Sequence, residues 1–302
     1  MPSVEINGVR INYMQNDCDS GNDCEDLVMI HGLATNMAFW YLHYVPEFSK
    51  RFRITLYDLR GHGRSGITDS GYGPKNMAID LQQLLDHLKI ERAQFIAHSF
   101  GGAVVLNLAC LDPGRFTSLV LIDTNISAVR RLQNKIHWKF GGALQQILDH
   151  NGVGLNVRDP YFGHRLLTAA AHMQTQDVEI SEELRAFLSH SRWKGNKRTA
   201  TQWLKLMETT QAERELMGDD GLSLDGLRKL NFPILALYGE LSQAMSTGEQ
   251  LLEVWPHADF RRVREAGHFF PITRPSELIE NCLQFWDGAM IKGLPHRKED
   301  NG

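Results

Sequence analysis

The sequence has no long apolar run, no dense cluster of basic residues and only four cysteines in 302 residues. No segment approaches the roughly 18 uninterrupted apolar residues that a membrane-spanning helix needs, so we expect no membrane span. The formal net charge is −4, and without a basic run we expect neither nucleic acid nor an anionic membrane surface as a partner. These absences favour a globular enzyme that acts on a small molecule.

The cysteines do not form a metal-binding pattern. Only Cys18 and Cys24 lie close together in the sequence, and no cysteine–histidine spacing matches a zinc site. We therefore expect no metal centre. The simplest interpretation of so few cysteines is a cytoplasmic protein with reduced thiols.

Short apolar segments alternate with helical patterns through the first half of the chain. The first residues alternate polar and apolar side chains around Asn7-Gly8, which predicts a strand pair and not a secretion signal. Further strands are predicted at 27–30, 53–57, 93–97 and 118–123, with helices near 37–49, 75–88 and 100–111. This alternation predicts a mainly parallel sheet that is covered by helices on both faces.

The alternation stops over residues 126–227, where the pattern is helical and no strand is convincing. Helices are predicted there at 128–140, 143–150, 161–173, 182–193 and 199–217. Strand patterns return at 233–238 and 260–263, and a last helix is predicted at about 275–290. We therefore predict an α/β core formed by residues 1–125 and 228–290, an all-helical insertion at 126–227, and a polar tail at 291–302.

The strongest motif is AHSFGG, residues 97–102, at the end of a predicted strand and the start of a predicted helix. A serine nucleophile on such a tight turn needs small neighbours, because larger side chains would collide with the backbone. The helix that starts at Phe100 points its positive end towards an oxyanion formed at Ser99. A simple serine N-cap is the alternative interpretation. Strand, small residue, serine and two glycines occur in the required order, so we predict that Ser99 is a nucleophile.

Three motifs occur here in the order typical of α/β-hydrolases: His31-Gly32, the segment YDLRGHGRS at 57–65, and the turn at Ser99. The sequence resembles that family over about residues 5–125 and 228–288. The resemblance implies the α/β-hydrolase fold, with an inserted helical cap that roofs the active site. It also implies that the backbone N–H groups of Leu33 and Phe100 form an oxyanion hole, and that His31 supports the loop.

A second glycine motif in this region, GHGRSG at 61–66, spells the dinucleotide-binding pattern G-x-G-x-x-G. That pattern requires a helix to begin at the glycines, so that its N-terminus can hold a pyrophosphate. The residues that follow, ITDSGYGP, are typical of a loop. We therefore expect no nucleotide and no other cofactor.

His268 is the predicted general base among the 13 histidines. It lies in the segment EAGHFFP, residues 265–271, which is similar to the Gly-His-Phe loop of the family and follows a late strand. The carboxyl ends of parallel strands meet at one edge of a sheet, so this loop can reach Ser99. His98 adjoins Ser99 along the chain, which places its ring poorly for contact with the hydroxyl.

The acid of the site departs from the common family pattern. Most members carry an aspartate a few residues beyond the strand that matches 234–238, where this chain has Ser242. Asp123 follows the strand after the nucleophile, and some haloalkane dehalogenases and polyketide thioesterases carry their acid at the matching place. We predict Asp123 as the acid, with Glu240 as the alternative carboxylate. Asp123 could instead cap the turn into the insertion.

The resemblance implies hydrolysis of an ester, thioester, lactone or related acyl bond of a small, apolar substrate through an acyl-enzyme. Serine at the nucleophile position disfavours haloalkane dehalogenase and epoxide hydrolase chemistry, which uses aspartate there. A cofactor-free non-hydrolytic enzyme, which cleaves rings with dioxygen or lyses C–C bonds, stays open because some members place their acid as Asp123 is placed. A ligand receptor on the same scaffold is a third alternative.

Overall fold

One eight-stranded sheet forms the centre of the protein, in a computed structural model that describes residues 1–21, 24–130, 138, 140–185 and 197–291. The strands are Ser3–Ile6 (β1), Val9–Asn16 (β2), Glu25–Ile30 (β3), Phe52–Tyr57 (β4), Ala93–His98 (β5), Phe116–Ile122 (β6), Ile234–Gly239 (β7) and Asp259–Val263 (β8). Their order in the sheet is β1-β2-β4-β3-β5-β6-β7-β8. The β1–β2 and β2–β4 pairs are antiparallel, and all other pairs are parallel. The predicted mainly parallel sheet is thereby confirmed.

Helices cover both faces of this sheet. They are Ala38–Phe48 (α1), Pro74–His87 (α2), Phe100–Leu111 (α3), Ser127–Arg130 (α4), Gly141–His150 (α5), Phe162–Thr175 (α6), Lys197–Thr209 (α7), Ala212–Leu216 (α8), Leu224–Leu227 (α9), Met245–Val254 (α10), Phe270–Thr273 (α11) and Pro275–Ile291 (α12). Successive side chains of a strand point to opposite faces. In β3, accordingly, Val28 and Ile30 pack with α2 and α3, whereas Leu27 and Met29 pack with α1 and α12.

The β1–β2 hairpin turns at the two residues that the sequence indicates. Asn7 has a φ of 46° and Gly8 a φ of 70°, and Ile6 pairs with Val9 across the turn. Two successive residues with positive φ form the tight turn that matches the twist of the flanking strands. The predicted strand pair at the N-terminus is therefore present.

The segment predicted as an insertion, residues 126–227, contains helices α4 to α9 and no strand among its described residues. Its two parts differ in their apolar contacts. The part around α5 and α6 has an apolar cluster of its own, with the buried residues Leu144, Leu148, Val153, Val157, Phe162, Ala170 and Leu184. The part around α7 and α8 shares the main core through Ala200, Trp203, Leu204, Leu206, Met207 and Ala212. The second part is therefore packed as a continuation of the α/β core.

The prediction of one continuous helix at 199–217 is wrong, because α7 ends at Thr209 and α8 begins at Ala212. The Gln211 N–H donates to the Asp69 carbonyl at 2.8 Å, and the Ala212 N–H donates to the Thr210 hydroxyl at 3.1 Å. These bonds replace those of a continuous helix and start a new one. The helices predicted at 128–140 and 182–193 extend beyond the described residues, as does the tail from residue 292.

The expectation of reduced thiols is wrong for one cysteine pair. Cys18 and Cys24 form a disulfide, whereas Cys110 and Cys282 are free. The two bonded cysteines lie between β2 and β3. Disulfides persist mainly in oxidising compartments. The disulfide therefore does not support the cytoplasmic location, which stays a prediction. No helix of the described ranges is long and apolar enough to cross a membrane.

Candidate active site

The turn between β5 and α3 holds Ser99 in a conformation that few non-glycine residues adopt. Its φ is 57° and its ψ is −123°, which lifts the side chain out of the strand direction. The two glycines that follow have no room for a side chain. A Cβ on Gly101 would lie 2.5 Å from the His31 carbonyl oxygen, and one on Gly102 would lie 2.0 Å from the Thr124 hydroxyl. Close packing of α3 therefore requires the glycines of the AHSFGG motif.

His268 lies on the loop beyond β8 and reaches Ser99 across the sheet edge. Its Nε2 atom is 2.9 Å from Ser99 Oγ, and its Nδ1 atom is 2.5 Å from Asp123 Oδ2. An ionised carboxylate only accepts hydrogen bonds, so Nδ1 carries the proton that is donated to Asp123. The Nε2 lone pair is then directed at the Ser99 hydroxyl, which is the geometry of a general base and its nucleophile.

Asp123 follows the last residue of β6 and is fully buried. Its Oδ1 atom accepts the Gly239 N–H at 2.9 Å, and its Oδ2 atom accepts from both His268 and the Ser242 hydroxyl. Donation from three groups offsets the cost of burying the carboxylate. The structure thus joins Asp123, His268 and Ser99 in one chain of hydrogen bonds.

Glu240, the alternative carboxylate, does not contact His268. Its Oε2 atom accepts the backbone N–H of Glu265 at 3.0 Å. Both glutamates line a surface groove of about 820 Å³ together with Arg262 and Arg264. This groove does not include Ser99, so it lies apart from the hydrogen-bond chain.

The loop between β3 and α1 passes directly against Ser99. A Cβ on Gly32 would lie 3.1 Å from Ser99 Cβ, which brings the neighbouring Leu33 backbone to the site. His31 braces this loop, since its Nδ1 lies 2.7 Å from the Gly32 carbonyl and its Nε2 accepts the Leu59 N–H at 3.1 Å. Within the described residues, the N–H groups of Leu33 and Phe100 have no hydrogen-bond partner, so both are free to donate to a ligand.

This arrangement of strands, turn and loops matches a known family. The model of the alpha/beta hydrolase fold matches residues 27–275, which is more than half of the chain. The chain belongs to the α/β-hydrolase family.

Several relatives match more than nine-tenths of the length of this α/β-hydrolase. A soluble epoxide hydrolase from Corynebacterium sp. (strain C12) is 23% identical over 289 residues, which cover 93% of this chain and 95% of the relative. The enol-lactonase structure from Burkholderia xenovorans LB400 is similar with a TM-score of 0.61, 21% identity, and coverage of 95% and 100%. An esterase structure from Rhodococcus sp. ECU1013 has a TM-score of 0.65, 21% identity, and coverage of 94% and 97%. At these identities the structures show a shared fold only.

Two contacts of this α/β-hydrolase site were not predicted from the sequence. The first is the Ser242 hydroxyl on Asp123. The second is His98, whose Nε2 lies 2.9 Å from the His268 carbonyl oxygen while its ring stacks on Phe39 at 5.0 Å. Burial and the nearby His268 hold the pKa of His98 well below its usual range, so His98 is neutral and Nε2 donates to that carbonyl. Each contact joins residues far apart in sequence, and no local motif indicates either one.

The helical insertion contacts the loops at this edge of the α/β-hydrolase sheet. The Trp138 indole donates to the Leu241 carbonyl at 2.8 Å, next to Ser242. From α7, the Gln202 amide donates to the carbonyls of Gly61 and Gly63 at 3.2 and 3.1 Å. The insertion thus packs on the loops beyond β4 and β7, the same edge that carries the hydrogen-bond chain.

His62 is a buried histidine in the loop beyond β4, and its protonation is coupled to folding. Its Nδ1 donates to the Arg60 carbonyl at 2.9 Å, and its ring lies 6.0 Å from that of Trp203. Burial, together with the nearby His31, lowers the pKa of His62 to about 4. The imidazole of an unfolded chain titrates near pH ~6.5. Below that pH the unfolded chain binds the extra proton, so this contribution to stability is lost as pH falls.

We predict that replacing His62 by glutamine flattens the pH dependence of stability. The free energy of unfolding, measured with urea, should be lower at pH 5 than at pH 7 for the native protein. His62→Gln should make this fall smaller by up to about 2 kcal/mol. The exposed His257 provides the control variant His257→Gln, which should leave the fall unchanged. An equal fall in the native protein and in His62→Gln would contradict this prediction.

Proposed function

We propose that this α/β-hydrolase cleaves an ester, thioester, lactone or related acyl bond of a small molecule. Ser99, His268 and Asp123 are its catalytic residues. The observation that carries the proposal is the chain of hydrogen bonds from the buried Asp123 carboxylate through the imidazole to the Ser99 hydroxyl. An acid that orients a histidine, which in turn contacts a serine hydroxyl, is the arrangement that activates a serine nucleophile.

The first half of the reaction forms an acyl-enzyme. Ser99 Oγ attacks the carbonyl carbon of the substrate while His268 Nε2 accepts the hydroxyl proton. The carbonyl oxygen becomes an oxyanion, to which the N–H groups of Leu33 and Phe100 donate. Asp123 stabilises the imidazolium during this step. The bond to the leaving alcohol or thiol then breaks, and that group departs with the proton from His268.

The second half releases the acid. His268 Nε2 accepts a proton from a water molecule, whose oxygen attacks the acyl carbon bound to Ser99. The same two N–H groups stabilise the second oxyanion. Its collapse returns the proton to Ser99 Oγ and frees the carboxylic acid. The cycle needs no group beyond water and the residues of the chain.

The aromatic side chains around the site support the proposal that the enzyme recognises an apolar acyl group of its substrate. The Phe269 ring packs edge-on against His268 at 4.9 Å, and the Phe39 ring stacks on His98 at 5.0 Å. Trp138 of the insertion is held on the loop beyond β7. Binding sites for small molecules are typically lined by apolar side chains with a few polar groups.

The position of Asp123 beyond β6 also supports a second candidate, a cofactor-free enzyme that cleaves rings with dioxygen or lyses C–C bonds. Acyl-bond hydrolysis and dioxygen-dependent ring cleavage differ in what they consume, because the first uses water and the second uses dioxygen. A screen across short and long acyl esters, thioesters, lactones and oxidisable aromatic rings distinguishes them. Acid release without oxygen uptake supports the hydrolase, and oxygen uptake supports the alternative.

The nucleophile is tested with a fluorophosphonate probe, which reacts with activated serines. We expect one label per folded chain, at Ser99, because His268 removes the proton as the phosphorus is attacked. Mass spectrometry of peptides locates the label, and Ser99→Ala should abolish it. Heat-denatured protein, in which the hydrogen-bond chain is lost, serves as the control and should not react. Labelling that persists in Ser99→Ala would refute the assignment.

The acid is tested with two matched amide substitutions. Asp123→Asn keeps the shape of the side chain but removes the charge that stabilises the imidazolium, so turnover should fall by roughly 10³-fold or more. Glu240→Gln removes a charge that does not contact His268 and should change turnover by less than about threefold. Steady-state kinetics on the best ester from the screen measures both. A severe loss in Glu240→Gln with a mild one in Asp123→Asn would reverse the assignment.

A further inference from the structure

Ser242 occupies a fixed, buried position beyond β7. Its side chain is only 4% exposed, and its own N–H donates to the Gly239 carbonyl at 3.0 Å. Its hydroxyl oxygen accepts the Ala244 N–H at 3.1 Å. With that contact on the oxygen, the hydroxyl proton is directed to Asp123 Oδ2. The hydroxyl is the donor in this bond, because an ionised carboxylate cannot donate.

The oxygen that Ser242 contacts is the one that faces His268. Asp123 Oδ2 accepts from both residues, whereas Oδ1 accepts from the Gly239 N–H. Asp123 also has a φ of 48°, a conformation that costs energy for a residue with a side chain and persists only when its surroundings hold it. Removal of the Ser242 hydroxyl would leave Oδ2 with one donor and the carboxylate freer to rotate.

We propose that Ser242 is a positioning residue, whose hydroxyl holds the Asp123 carboxylate against His268 and shares part of its negative charge. The proposal rests on the function proposed above. Two consequences follow. Loss of the hydroxyl slows the activation of Ser99, because the carboxylate no longer keeps one orientation. Loss of the hydroxyl also removes a donor that shares the charge of Asp123 Oδ2, so more of that charge acts on His268 and the pH midpoint of the reaction moves upwards.

The test uses the rate at which a fluorophosphonate reacts with Ser99, measured between pH 5 and pH 9, so that no natural substrate is needed. Ser242→Ala should slow this reaction by about 10- to 100-fold, the loss expected for one hydrogen bond to a charged group. Its pH midpoint should move upwards. Ser242→Thr keeps a hydroxyl and should return the rate to within about threefold of the native value.

Ser118→Ala is the matched control. Ser118 is also buried and donates a hydrogen bond to Gln94, but it lies in the first half of β6, away from the end that leads to Asp123. Its substitution should change neither the rate nor the pH midpoint. Urea unfolding of both alanine variants shows whether they lose similar stability. If Ser242→Ala does not fold, Ser242→Cys replaces it, and this weaker donor should react measurably but more slowly than Ser242→Thr.

Three results would overturn the proposal: a native rate and midpoint in Ser242→Ala, a failure of Ser242→Thr to restore the rate, or an equal loss in Ser118→Ala. Failure of the proposed function is seen separately. In that case the native protein itself would not react at Ser99, whatever residue stands at position 242.

Discussion

The carboxylate of Asp123 lies at the centre of the site, and its burial sets the constraint on the rest. A buried charge without partners costs several kcal/mol or more. Here the donors are the Gly239 N–H at the end of β7, the Ser242 hydroxyl and His268 Nδ1. Each donor lies on a segment distant in sequence from Asp123. The need to pair one charge therefore fixes where β7, its following loop and the His268 loop lie relative to β6.

The sheet register places the two ends of the hydrogen-bond chain together. His98 pairs with Ile122 across β5 and β6, so Ser99 and Asp123 each stand one residue beyond a paired position. The Ser99 N–H donates to the Ile122 carbonyl and the Asp123 N–H to the Leu237 carbonyl, both at 2.9 Å. These bonds continue the sheet pattern by one step. They support two residues whose positive φ values are otherwise costly.

Features that depend on local sequence, or on resemblance to the family as for His268, could be predicted, whereas the other contacts between distant segments could not. The strand pattern and the AHSFGG turn indicated the sheet and the place of Ser99, because periodicity and turn chemistry are local. The bonds from Ser242 to Asp123 and from His98 to His268 arise only when strand order and loop paths are known. The Cys18–Cys24 disulfide and the break between α7 and α8 likewise depend on packing, which overrides a local pattern.

The most direct test of this account is to detect the imidazole proton on His268 Nδ1, which lies in the hydrogen bond to Asp123. In a proton NMR spectrum, an imidazole N–H held in a short bond to a carboxylate resonates far downfield of ordinary N–H groups. We expect such a signal in the native protein and in Glu240→Gln, and we expect it to disappear in His268→Gln and in Asp123→Asn. A downfield signal that persists in Asp123→Asn but disappears in Glu240→Gln would contradict the account.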